Sequence, residues 1–235
     1  MAYLNPDKII VDFLRNNISD PRSSRVGTST SDSFTASASQ TTFQLTPSSG
    51  KSLSHVTSVT VDAGSKDKWE DYYIDAKAEQ IVFFSAMSGG EAVVVNYVEN
   101  STNWIFDDKP VESLGATAYP RISVQSFGSG DRLGNFEAPV STILTVQVDI
   151  WCKERSSTDV FTVSSRVYTG EDLCKYLGVQ VSQAFEDSES DLHPVLYNYV
   201  PKQTPSRPMP FDLVRQAHHR IVEFSIEGLS LGRTA

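Results

Sequence analysis

Cysteine is nearly absent: Cys152 and Cys174 are too few to staple a secreted, disulfide-held fold. They read as buried, reduced thiols, which points to a reducing, aqueous setting. Long apolar runs are missing too. The opening stretch MAYLNPDKIIVDFLRNN is interrupted by Asp7, Lys8, Asp12 and Arg15, so neither a signal peptide nor a membrane anchor is expected. Basic charge is also short, with 20 Lys plus Arg against 29 Asp plus Glu and a net charge of −9. Such a surface repels phosphate, which disfavours binding to nucleic acid or anionic membrane but lets DNA slide past.

Signatures of chemistry are equally scarce. Gly128, Gly130 and Gly134 in SFGSGDRLG match neither the dinucleotide nor the phosphate-loop spacing and read as a flexible turn. His55, His193, His218 and His219 are scattered. The adjacent pair opens a strand, where neighbours point to opposite faces and cannot share one metal ion. DSESD (187–191) alternates carboxylates, but it lacks the central Gly and closing Glu of a calcium loop and reads as a solvated turn. Asp107 and Asp108 close to Trp104 would suit a sugar site, although linker residues and a packing anchor explain them more simply. With no GxSxG and no Cys/His signature, no catalytic residue, cofactor site or metal ligand is expected.

What is present is pattern. A chain of 235 residues holds one large domain or two small ones. Residues 5–18 predict an amphipathic helix, with Asn5 as cap and Ile9, Ile10, Phe13, Leu14 and Ile18 on one face. The Ser/Thr-rich stretch 19–40 reads as a linker. Short strands follow at 41–45, 56–61, 72–74, 80–84 and 92–98, separated by turn residues, which suggests a compact β-sandwich. STILTVQVDIW (141–151) alternates so cleanly that it predicts a strand in an antiparallel sheet covered on one face. A second helix is expected from Thr169, with Leu173, Leu177, Val181 and Phe185 buried, although Gly178 weakens its middle. Two further strands are expected at 194–200 and 220–229. The loop between them, PKQTPSRPMP (201–210), carries four prolines and reads as stiff and unable to join a sheet. The expected fold is α+β: an antiparallel sheet flanked by two helices, formed by 1–27 and 103–235, with an all-β sandwich inserted at 28–102.

YPRISVQSF (119–127), DRLGN (131–135), STILTVQVDIW, VYTGEDLCKYL (167–177) and the closing RIVEFSIEGL (220–229) together resemble the tail terminators of long-tailed bacteriophages and archaeal viruses. The resemblance spans about 1–27 and 103–235, and the inserted module departs from it. It implies a hexameric ring in the neck of the virion, assembled in the host cytoplasm. That ring would cap the tail tube, end its polymerisation and join the tail to the head connector. The implied partners are further copies of the chain, the tail tube protein and the connector, with viral DNA passing unbound through the lumen. Lys202 and Arg207 on the stiff loop, Met209 and Phe211 at its end, and Asp131 and Arg132 in DRLGN are the candidate docking residues. Two other readings compete. One is a head-completion or connector-adaptor protein of the same neck. The other is a carbohydrate-binding host-recognition protein that uses Trp69, Tyr72, Tyr73 and Trp104.

Overall fold

The computed structural model describes residues 6–22, 25, 27–68, 70–108, 114–115, 118–132, 141–153, 161–163, 166–168, 170–187, 202–203 and 206–229. Within them the chain is mixed α+β, mostly strand, with two helices and largely antiparallel sheets. It divides into two compact units: Met1–Arg22 with Trp104–Ala235, and Ser23–Asn103. Asn5, Thr169 and 194–200 lie outside the described residues, so the two predicted caps and that strand do too.

Helix α1 (Pro6–Asn17) forms where the apolar spacing predicts it. Ile9, Ile10, Phe13 and Leu14, with Ile18 just beyond, are almost fully buried.

The Ser23–Asn103 unit holds β1 (Thr28–Thr35), β2 (Thr42–Gln44), β3 (Ser52–Val61), β4 (Gly64–Lys66), β5 (Tyr72–Asp75), β6 (Gln80–Phe83) and β7 (Ala92–Asn100). One sheet runs β1-β7-β3-β4 and the other β2-β6-β5. Val56, Val59, Val93, Val95 and Tyr97 of the first are buried, as are Phe43, Tyr72, Ile81 and Phe83 of the second. Phe34 meets Phe43 with ring centroids 5.4 Å apart, which ties β1 to β2. The predicted linker is corrected here, because its second half is strand β1, paired with β7 from Thr28↔Glu99 to Thr35↔Ala92. TSTSDSFT is polar on both faces and has no apolar alternation to read. Its β-branched residues suit a strand once the Val-rich β7 supplies a ladder.

In the other unit, β8 (Ile105–Phe106), β9 (Arg121–Arg132) and β10 (Ser141–Lys153) precede the small hairpin of β11 (Phe161–Val163) and β12 (Arg166–Tyr168). Helix α2 (Gly170–Asp187), β13 (Lys202–Gln203), β14 (Arg207–Pro208) and β15 (Ala217–Leu229) complete it. The sheet order is β13-β15-β10-β9-β8, with β14 also on β15. β10 and β15 stay in register over their whole length, from Ser141↔Leu229 to Lys153↔Ala217. Val146, Val148 and Ile150 share one face with Val222, Phe224, Ile122 and Val124, all fully buried. Phe185 of α2 lies 3.9 Å from Phe224 and 5.0 Å from Phe13 of α1, so both helices meet over this face. Leu173, Leu177, Val181 and Phe185 form the buried stripe. Gly178 is buried within that helix, where a Cβ would lie 2.9 Å from Cδ of Arg220.

Three further expectations need correction. Gly128 and Gly130 lie within β9 and do not form a turn; the ladder to β10 skips Gly128, passing from Thr145↔Phe127 to Leu144↔Ser129. A glycine at such a bulge costs no side-chain packing. The Pro-rich loop does join the sheet: Lys202 pairs with Ser225 and Arg207 with Ile221. Its prolines limit the contact to pieces of two residues. Pro208 stands opposite Arg220 at the sheet's outer edge, where a missing N–H leaves no interior ladder bond broken. Finally, the polar face of β10 is covered as well, since Asp149, Trp151 and Ser123 are 1 %, 6 % and 0 % exposed.

Candidate functional site

The docking candidates are spread along one sheet. Asp131 and Arg132 pair with Thr142 and Ser141, the end that also holds Leu229. Arg207, Met209 and Phe211 line the edge of β15 and lead to the turn before Ala217. Counted along β15 from Leu229, Ser225 opposite Lys202, Ile221 opposite Arg207 and His219 bonded to Met209 lie four, eight and ten residues away, or roughly 13, 26 and 33 Å. The structure therefore does not bring the six residues together. Arg207 is exposed and donates to Glu223 Oε1 at 3.0 Å, a rim ion pair of little energetic weight. The Met209 N–H donates to the His219 carbonyl at 2.9 Å. The Phe211 ring meets His218 edge-on at 5.0 Å. Backbone pairing alone places Lys202, Asp131 and Arg132, since their side chains lie outside the described set.

The turn that follows was not anticipated. Asp212 Oδ1 accepts the N–H groups of Val214 (3.0 Å) and Arg215 (2.8 Å), and Oδ2 accepts Arg215 Nη1 at 2.6 Å. These bonds, led by the Arg215 N–H, hold the Asp212 carboxyl below its ordinary pKa. Backbone bonds in both directions between Asp212 and Ala217 close the turn. The result is a braced loop that carries Leu213 and Val214 at 81 % and 66 % exposure. An Asp followed by two apolar residues before Arg is the only sequence trace of it. Val167 of the β11–β12 hairpin and Val179 of α2 form further exposed apolar points, at 57 % and 48 %.

The covered polar face contains ionisable groups at close quarters. His219 Nε2 lies 2.6 Å from Asp149 Oδ1, and its ring stacks on Trp151 at 3.7 Å and 5°. Gln147 Nε2 donates to both Asp149 oxygens. Ser123 stands opposite Asp149 in the register, which puts the carboxylate between serine and histidine. In a nucleophilic triad the histidine takes the middle place. His218 and His219 point to opposite faces, towards Phe211 and Trp151 respectively. Gly170, at φ +48°, lets α2 start against His218, whose ring would be 3.1 Å from an added Cβ. Cys152 and Cys174 are free and buried, and burial pushes the Cys152 thiol up. Among the described residues no cluster of three or more His, Cys, Asp or Glu could hold a metal, and no helix is long and apolar enough to cross a membrane.

For the carbohydrate reading, Tyr72 and Trp104 are 1 % and 3 % exposed. Rings so enclosed cannot stack on a sugar. Trp69 lies outside the described residues, and Tyr73 packs on the exposed Phe84 at 5.8 Å. No family model, curated protein or solved structure matches this chain.

Proposed function

We propose that this chain is a virion structural protein of the neck: a tail terminator that forms a ring on the tail tube, ends its growth and joins it to the head connector. The observation that carries the reading is the braced Asp212–Arg215 turn, which holds Leu213 and Val214 out in water. A rigid apolar knob is a contact element in search of a socket, and head-to-tail contact between identical copies requires two different surfaces on each copy. Val167 and Val179 supply apolar surface in other elements of the same unit. The two sheets of the Ser23–Asn103 unit are read as a small sandwich carried by that ring.

The energetics favour assembly on a template. Burying Leu213 and Val214 contributes about 1.5–3 kcal/mol each. Association costs at least about 4 kcal/mol in lost freedom, so free subunits stay monomeric or weakly associated. Copies arrayed on a tube end meet at high effective concentration and close the ring. Particles made without the protein should yield unjoined capsids and tails of uncontrolled length by electron microscopy. Tails of normal length would refute the terminator role. A Leu213→Asp, Val214→Asp variant should fold with stability changed by less than about 0.5 kcal/mol and fail to form rings on tails.

A further inference from the structure

The two cysteines of the chain sit on different elements and meet in the core. Cys152 lies near the end of β10, on the face that carries Val146, Val148 and Ile150, because residues two apart along a strand share a face. Cys174 lies in the first turns of α2, the helix that packs on this face through Phe185 and Phe224. Its thiol donates to the Ile150 carbonyl at 3.6 Å and to the His218 carbonyl at 3.3 Å. Cys152 stands directly opposite His218 in the ladder and two residues beyond Ile150. Two separate backbone contacts thus hold the Cys174 sulfur beside Cys152.

The start of α2 fixes this placement. Gly170, one turn before Cys174, leaves room for the His218 ring, so the helix opens directly over the strand pair. Both cysteines are 1 % exposed. Burial pushes the Cys152 thiol up, and its hydrogen bond with the Cys174 thiol adds to the shift. Two small buried residues of any apolar kind would fill the same space. Neighbouring thiols, however, are the one pair of side chains in this sequence that can be joined as a disulfide.

We propose that Cys152 and Cys174 form an oxidation site: the chain folds with both thiols reduced, and a low-molecular-weight disulfide then converts them to an internal disulfide that latches α2 to β10. One protein thiol loses its proton, and the thiolate attacks a sulfur of the oxidant and displaces a thiolate. The second protein thiol, also deprotonated, attacks the protein sulfur of the mixed disulfide and displaces the other. The protein gives up two electrons and two protons, and the oxidant leaves as two thiols. Both sulfurs are enclosed and the thiolate is the nucleophile, so the first attack waits on opening of α2. The second follows at once, because its partner is already adjacent. The inference does not depend on the terminator reading.

The test is oxidation of the full chain, first reduced and freed of reductant, with oxidised glutathione at mildly alkaline pH. Remaining thiols are alkylated in denaturant, and the unreduced chain is mapped by mass spectrometry. The expected product is a monomer short of two hydrogens, with the Cys152 and Cys174 peptides joined and no thiol left to alkylate. Closing a loop of about 22 residues constrains the unfolded chain and should lower the unfolding constant on the order of a few hundredfold, a gain that dithiothreitol removes. Cys152→Ala and Cys174→Ala should end at mixed disulfides or dimers without that gain. Should either variant misfold, the wild-type map and unfolding curves decide alone. Two thiols still free after oxidation, adducts or dimers as the final wild-type products, or an oxidised chain no more stable than the reduced one overturns the proposal.

Discussion

Glu99 shows how one side chain can bind a strand to a loop. Its carboxylate accepts Lys51 Nζ at 2.8 Å and the Ser48 N–H at 2.7 Å while only 3 % exposed. The Lys51 bond, followed by the Ser48 bond, holds its pKa down to about 2. A folded value below the unfolded one means the stabilisation is complete above the ordinary carboxylate range and is lost as pH falls towards 2. Glu99→Gln should therefore be less stable than wild type near neutral pH, and the gap should close between about pH 5 and pH 2 in denaturant titrations. Gly27 makes a different point. A Cβ there would lie 2.2 Å from both Asn100 Oδ1 and Val98 Cγ1. Gly27→Ala should cost about 1–3 kcal/mol by overpacking, visible as a lower denaturant midpoint.

Among the elements, the Asp212 turn tests the link between local bracing and presentation. Asp212→Ala removes the acceptor of two backbone N–H groups and of Arg215. It should cost about 1–2 kcal/mol, whereas Asp212→Asn should retain much of the effect because its amide oxygen still accepts. Hydrogen exchange at Val214 and Arg215 would report the loosened turn. Helices and long strands were legible because burial imposes a period on them. Leu173 to Phe185 recur every four residues, and Val146, Val148 and Ile150 every two. The exposed knob was not legible, since Leu213 and Val214 fit no period and their exposure depends on how the turn leaves the sheet.

At the scale of the molecule, two compact units suggest independent stability. Excising Ser23–Asn103 and bridging Arg22 to Trp104 with a short linker should leave the rest folded, with a cooperative melt by circular dichroism. Loss of soluble protein would show that the two units share a core. The amino-acid order by itself determined the helix at 6–17, the helix at 170–187 and the strand at 141–153, because each carries its own burial pattern. It also determined that the two thiols would be few and internal. Only the tertiary structure decided that polar Thr28–Thr35 is a strand, because the partner that completes its ladder lies more than 50 residues away, at Ala92–Asn100. It alone decided that proline-rich 202–208 meets a sheet edge and that the polar face around Asp149 and Trp151 is buried. In each case the deciding energy is a contact between distant segments, which no local period records.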